Sequence, residues 1–371
     1  MKVKNKPKIL ICMSGGVDSS VAAALLVQQG YDVTGAFMVN YDDKNNLTSC
    51  WRGDYQDALR VAAKLKIPLL RLNFVREYKK SVLDYMYAEY KKGRTPNPDV
   101  LCNKFVKFGF WMKKAKSLGF DYLATGHYAL LSQKSIKSVK SRDLSFPRRR
   151  ESSVQLLAAK DDNKDQTYFL HQLSQEQLKH IIFPIGEYTK DQVRKLAEKF
   201  ELPTAKKEES MGICFIGEVP MKEFLQKKIK TKKGKIILNG TKEILGEHEG
   251  VPFYTIGQRL GLNNKPYFVV KKDVKKNILF VGHENDPDLL KKEIMVENIN
   301  WISGQKPKLP LKCEVRLRHR QTLQKCNVQS VKAKNSNSVI VKFDNPQKAV
   351  TPGQFAVLYS KGVCLGGGVI K

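Results

Sequence analysis

The chain has 371 residues, more than one compact core accommodates, and at roughly 100–200 residues per domain it divides into two or three units. Lys+Arg number 66 against 36 Asp+Glu, a net charge of +30, while 42% hydrophobic and 9% aromatic residues exclude a disordered chain. No apolar run approaches the ~18 residues of a membrane span, and the apolar stretch Ile9–Met13 is too short for a secretory leader, so a cytoplasmic chain with no membrane partner is expected.

In chain order, the first half alternates strand and helix. Lys8–Met13 reads as a buried strand, and Asp18–Gln29 as a helix stopped by Gly30. Val33–Val39 reads as a second strand and Asp54–Lys66 as a helix ended by Ile67-Pro68. Leu69–Phe74 is expected as a strand, Arg76–Tyr90 and Asn103–Leu118 as helices, and Asp121–Thr125 as a further strand. Repeated strand–helix units of this kind mean a parallel sheet covered by helices on both faces. Tyr128–Leu131 and Val154–Ala158 read as the strands of one hairpin, and Gln175–Glu201 as a helical connection.

After about residue 220 the rhythm changes. Lys235–Leu238, Tyr267–Val270, Ile278–Val281, Lys312–Arg318, Ser338–Phe343 and Phe355–Tyr359 are short runs of strand character between Gly, Pro and Asn. Their alternation predicts half-buried antiparallel strands and one or two small β-barrels.

Three strings carry chemistry. Ser14-Gly15-Gly16-Val17-Asp18-Ser19-Ser20 joins the first strand to the first helix, where glycines let the backbone approach an anion and hydroxyls and helix N–H groups donate to it. It has neither the GxxxxGK[ST] nor the GxGxxG spacing. It resembles the pyrophosphate-binding loop of the ATP pyrophosphatases. The second string, Thr95 to Asn103 (TPNPDVLCN), presents Asp99 and Cys102 three residues apart, just ahead of the expected helix, whose dipole would stabilise a Cys102 thiolate. The third holds Cys214 between Gly212 and Gly217, expected as a mobile loop, and Cys102 and Cys214 are both expected as exposed thiols. The seven cysteines include no CxxC pair, so neither a disulfide framework nor a zinc ribbon is indicated. His171, His180, His248 and His283 lack metal-ligand spacing and read as structural or surface residues, and no metal site is expected. The positive surplus, spread along the chain, suits a nucleic acid.

TPNPDVLCNKFVKF, ATGHYA, NKDQTYFL, GICFIGE, YTIGQRLGL, AVTPGQFAVLY and CLGGGVI, in this order, are similar to the tRNA-specific 2-thiouridylases, which thiolate the wobble uridine of bacterial tRNA. The resemblance implies an α/β N-terminal domain of the adenine-nucleotide α-hydrolase type over 1–218, a β-rich central domain over 219–284 and a C-terminal β-barrel that binds tRNA over 285–371. It implies ATP held by Cys12, Met13, Ser14, Gly15, Gly16, Val17, Asp18, Ser19, Met38 and Gly126, with Mg²⁺ as the accompanying cation. It places Asn97, Pro98 and Asp99 at the target base, and His127, Lys164, Asp165, Gln166, His319, Arg320 and Gln354 on tRNA. Cys102 would be the nucleophile, Cys214 the persulfide carrier loaded by an upstream sulfur-donor protein, and Asp99 the acid/base. The sulfur would come either by direct persulfide attack or as hydrosulfide released by Cys102.

Relatives usually have Ser-Thr where this chain has Ser210-Met211, and often Lys where it has Val39. They also join the 128–158 hairpin by a much shorter turn, so the basic, Ser-rich stretch Ser132–Ser153 reads as an insertion tolerated at a loop tip. Two other readings use the same features. An amide-forming synthase would share the loop but need no cysteine pair, and a non-catalytic RNA-binding protein would share the charge but need no loop.

Overall fold

The computed structural model describes residues 6–42, 51–133, 153–208, 212, 214, 216–217, 219–262, 264–331 and 337–371. Cys50, Ser210, Met211 and most of the Ser132–Ser153 stretch lie outside them. No helix among the described residues is long and apolar enough to cross a membrane.

The N-terminal unit is built on five parallel strands in the order Leu69–Asn73, Asp32–Val39, Lys8–Cys12, Tyr122–Ala124 and Ile181–Ile182. Ile9, Leu10 and Ile11 are all 0% exposed, because helices cover both faces of a parallel sheet. Each such side chain contributes roughly 1.5–3 kcal/mol. The helix Val17–Gln28 is buried along nearly its whole first two turns, which is why its sequence carries Ala and Leu all round. Chain order reverses on either side of Lys8–Cys12, and in open α/β sheets the crevice at such a switch point, beyond the strand C-termini, is where ligands bind.

Three expected elements differ. Gln175–Glu201 is not one helix but two, Gln175–Leu178 and Lys190–Lys199, each opened by a capping box and separated by the strand Ile181–Ile182. Pro184, which biases Phe183 toward extended backbone, breaks the helix there. The helix expected from Asn103 begins at Pro98, with Asn97 capping the Asp99 and Val100 N–H groups, and runs as a π-helix over Cys102–Trp111 before closing as α at Met112–Ser117. Cys102 therefore lies inside the helix, not before it. A second π segment, Lys79–Leu83, interrupts the helix expected at Arg76–Tyr90.

The central unit is a five-stranded sheet in the order Arg259–Leu262, Lys265–Asp273, Ile278–Gly282, Gly234–Leu238 and Ile244–His248. The C-terminal unit closes six strands into a barrel: Leu290–Trp301 pairs with Val339–Lys348 on one edge and with Val363–Ile370 on the other. The expected hairpin forms as Leu130–Gln133 and Val154–Leu157, and its second strand pairs with Val363 and Cys364 of the barrel. One apolar core consequently runs from the N-terminal unit into the barrel, with Leu156, Tyr168 and Cys102 in the same cluster as Phe355, Val357 and Tyr359.

Candidate active site

A cavity of about 440 Å³ opens at the switch point of the parallel sheet. Part of its lining is the turn after the first strand. Ser14 and Ser19 lie with their hydroxyl oxygens 3.1 Å apart, the Ser14 N–H donates to Ser19 Oγ at 3.1 Å, and the Ser19 hydroxyl also reaches the Gly16 carbonyl at 3.1 Å. Cys12, Met13, Ser14, Asp18 and Ser19 line the cavity, with Met38 and Gly126 facing them from neighbouring strand ends, while Gly15, Gly16 and Val17 form the turn itself without lining it. Gly126 is required by packing: a Cβ there would stand 2.7 Å from the Ser19 backbone nitrogen. Asp18 accepts from Tyr128 Oη at 2.9 Å and from Lys190 Nζ at 2.7 Å, so its carboxylate is held away from free rotation.

Two sulfurs also meet at this cavity. The Cys102 thiol donates to Cys214, Lys107 also hydrogen-bonds Cys214, and the Cys214 N–H donates to Asp99 Oδ1 at 3.1 Å. Tyr78 fixes the same loop, its hydroxyl donating to the Cys214 carbonyl at 2.8 Å. The Cys102 hydrogen bond, with Lys107 beside it, brings the Cys214 thiol below its ordinary range despite burial. Burial, and then Cys214 itself, push Cys102 well up. Of the two sulfurs, Cys214 is thus the one that ionises more readily and Cys102 the one that keeps its proton. This corrects two expectations: Cys102 is 0% exposed instead of exposed, and one turn into the helix it gains nothing from the dipole at the helix start.

Burial raises the Asp99 carboxyl, and the Cys214 N–H and Lys107 only partly offset this, so Asp99 holds a proton more readily than a surface aspartate. Burial opposes charge on Lys107 as well, but Cys214, Cys102 and Asp99 leave its pKa raised overall. His127 lies 3.4 Å from Lys107 through Nε2 and 2.8 Å from Thr125 Oγ1 through Nδ1. An ammonium can only donate, so Nε2 is the bare nitrogen and Nδ1 carries the proton. Burial and Lys107 hold the His127 pKa well below the usual histidine range, and the ring is neutral at pH 7.

The remaining expected residues fall into three places. Gln166 lines the cavity and its side chain accepts the Tyr128 N–H at 2.9 Å. Asp165 is 1% exposed, with its carboxylate taken by Arg316 at 2.7 Å and by Thr167, so its side chain is buried against the outer wall of the barrel and does not face solvent. Gln354 donates to the Thr95 carbonyl at 2.9 Å, and Thr95 donates to Pro352 at 2.9 Å; the barrel thus props the loop carrying Asn97 and Pro98. His319 lies against Phe169 with ring centroids 4.5 Å apart, and Phe169 in turn lines the cavity. Lys164 is partly exposed and Arg320 exposed, and both lie outside the cavity lining. Val39 is buried at its strand end.

Residue reading missed Lys107, Tyr78 and Lys190. Lys107 stands five residues after Cys102, a spacing that joins two side chains only where the helix is of the π type. Among the described residues no group of three or more His, Cys, Asp or Glu could hold a metal ion.

Three family profiles cover the chain: the "tRNA methyl transferase HUP domain" at residues 7–218, the "tRNA methyl transferase PRC-barrel domain" at 222–283 and the "Aminomethyltransferase beta-barrel domain" at 291–370. The tRNA-specific 2-thiouridylase MnmA of Ureaplasma urealyticum is 45% identical over 388 aligned positions, spanning 100% of this chain and 97% of that protein. The Streptococcus mutans protein of the same name is 44% identical over 100% and 96% of the two chains, and that of Francisella tularensis subsp. novicida 45% over 99% and 100%.

Proposed function

We propose that this chain, which belongs to the tRNA-specific 2-thiouridylase family, uses ATP to replace the C2 oxygen of the wobble uridine of tRNA with sulfur. One observation carries the reading: a single cavity is lined both by Ser14, Asp18 and Ser19 of the Gly/Ser-rich turn and by Cys214, Lys107 and Asp99, with the buried Cys102 hydrogen-bonded to Cys214. Both steps of a thiolation, activating an oxygen and replacing it, are thereby served in one place.

ATP is a substrate of this reaction. The turn suits its phosphates, because Gly126 leaves the start of the helix uncovered and the Ser14 and Ser19 hydroxyls stand there as donors. The uridine C2 oxygen attacks the α-phosphorus, a P–O bond forms, the α–β bridge breaks and pyrophosphate leaves. Mg²⁺ would enter with the triphosphate, held chiefly by phosphate oxygens, and the Asp18 carboxylate on the same lining could hold it. The helix N-terminus stabilises the charge gathered on the departing group.

Sulfur comes next. The Cys214 thiolate is the better nucleophile of the pair and takes the sulfane sulfur from a donor protein, becoming a persulfide. The terminal sulfur of that persulfide forms a bond to C2, and the C2–O bond breaks with loss of AMP. Cys102 then attacks the Cys214 sulfur, its proton passing to a neighbouring base, and the S–S electron pair leaves on the 2-thiouridine. In the alternative order Cys102 attacks first and hydrosulfide adds to C2. Either route oxidises the pair to a Cys102–Cys214 disulfide, which a cellular thiol reductant reopens. Asp99, with its raised carboxyl, is the acid/base. Lys164, His319 and Arg320 would meet the tRNA around the cavity mouth, and a base flipped from the anticodon stack would enter it. The proposal includes three working units, 1–218, 219–284 and 285–371, a reading supported by the three matched segments, and a cytoplasmic location.

The test is a reconstitution with ATP, Mg²⁺, tRNA and a protein persulfide donor, followed by digestion of the RNA. Wild type should yield wobble 2-thiouridine and AMP. Cys214→Ser should still release pyrophosphate yet transfer no sulfur from that donor, and Asp18→Ala should release none. ADP and phosphate as the sole nucleotide products would overturn the adenylation, and full thiolation by Cys214→Ser would remove Cys214 from the path.

A further inference from the structure

Asn103 follows Cys102 in the π-helix and is 3% exposed. Its Nδ2 donates to the Phe169 carbonyl at 3.3 Å, and this bond settles which end of the amide is which. The oxygen is then the end left over. Oδ1 is buried without a hydrogen-bond partner, and Asn103 lines the cavity together with Asp99, Lys107 and Cys214. A buried amide oxygen without a donor is costly, and in a binding cavity it marks where a ligand's N–H or O–H is missing.

We propose that Asn103 Oδ1 receives the N3–H of the target uracil and thereby selects uridine over cytidine at the wobble position. The assignment rests on the thiolation reading above. N3 is bonded to C2, so the group that meets N3–H must adjoin the sulfur that attacks C2, and Asn103 lines the cavity together with Cys214, the carrier of that sulfur. The hydroxyls suited to phosphate, those of Ser14 and Ser19, belong to a different element, the turn after the first strand. Cytosine carries a lone pair on N3 in place of the hydrogen, so Oδ1 would face another acceptor and be repelled. Accepting the N3–H also shifts electron density toward O2, the atom that must attack phosphorus. Asn103 cannot swing away from this duty cheaply, since Phe169 holds its nitrogen and the barrel's His319 packs on Phe169.

The experiment compares full-length wild type with Asn103→Ala in single-turnover thiolation at saturating ATP. The two substrates are tRNA carrying wobble uridine and the same tRNA carrying 3-methyluridine, which lacks the N3 hydrogen. Wild type should lose about tenfold to a hundredfold in kcat/KM on the methylated tRNA, Asn103→Ala should lose a similar factor on uridine, and the variant should separate the two substrates by less than about threefold. Asn103→Asp, which keeps an acceptor, should retain the preference for uridine. ATP affinity should stay within about twofold in both variants, because the hydroxyls suited to its phosphates belong to the turn. Equal wild-type rates on the two tRNAs, a comparison that needs no variant to fold, would overturn the assignment alone. A variant with weakened ATP binding and undiminished discrimination would give Oδ1 to the nucleotide and also overturn it. No 2-thiouridine from wild type on the uridine tRNA would overturn the thiolation reading, and this assignment with it.

Discussion

Two sulfurs in contact do not ionise independently, and at this site the neighbours decide which one carries charge. Cys214 has an S–H donor in Cys102 and a cation in Lys107; Cys102 has burial and the Cys214 sulfur that it donates to. As pH rises, Cys214 loses its proton first, below the ordinary thiol range, and Cys102 keeps its own well above it. Iodoacetamide should therefore label Cys214 with a pH midpoint below that of a free thiol, while Cys102 stays protected. Lys107→Met should move that midpoint upward, since removing a cation destabilises a thiolate. Peptide mass spectrometry across a pH series checks both, and a midpoint indifferent to Lys107 would remove it from the electrostatics of the pair. The Cys102–Cys214 pairing was legible in the sequence as two cysteines in unusual strings. The direction of charge was not, because it depends on Lys107 and on burial, which appear only once residues 99–111 and 214 are folded together.

Elements were legible where local chemistry and tertiary need agreed. Lys8–Cys12, the Ser14–Ser20 turn and the helix after it form as expected because strand, glycine turn and helix each follow from their own residues. Val363–Ile370 went unseen because Gly366-Gly367-Gly368 argue against a strand. The reason for the glycines lies outside the segment: a Cβ on Gly367 would stand 2.9 Å from the His171 ring and collide with the Ala356 carbonyl. The π segment at Cys102–Trp111 was equally invisible, since its residues look like those of any amphipathic helix. A prediction at this scale concerns the contact between the segment after the strand Tyr122–Ala124 and the start of the first helix. Gly126→Ala forces one backbone away from the other, an overpacking of about 1–3 kcal/mol. The variant should bind ATP about tenfold or more weakly by calorimetry while its tRNA affinity changes little. Unaltered ATP affinity would mean that the approach of Gly126 to Ser19 has no bearing on the nucleotide.

On the scale of the whole molecule, polar contacts hold the barrel to the N-terminal unit where the apolar core crosses between them. Asp165 and Arg316 form an ion pair with 0% and 12% of their side chains exposed, and Arg316 also packs over the Tyr359 ring. Asn300 donates to the His171 and Leu173 carbonyls, and Gln172 to Gly367. Removing one member of a buried pair strands the other, at a cost of about 3–5 kcal/mol. Asp165→Ala should lower the urea midpoint accordingly, and Asp165→Leu combined with Arg316→Met should recover much of the loss. If Asp165→Ala weakened tRNA binding with its urea midpoint unmoved, the residue would be an RNA contact after all. Sequence placed Asp165 on tRNA through its neighbours in the NKDQ string; only the fold shows that alternate residues of that string face different ways.

The strand Val154–Leu157, paired to a barrel strand that begins at Val363, also sets an order of events on the ribosome. About 200 residues must be translated between the two, which at roughly 5–20 residues per second leaves the hairpin's edge bare for some 10–40 seconds. Throughout that interval the nascent chain presents an unpaired apolar strand of the kind that seeds aggregation. The cavity's props from Gln354 and His319 are missing for most of that interval. Synthesis and competence are thus tied together: the N-terminal unit should acquire protease resistance only after the barrel strand has cleared the exit tunnel. Limited proteolysis of chains stalled at successive lengths would reveal this as one late step, whereas early resistance would show the N-terminal unit closing without its distant partner.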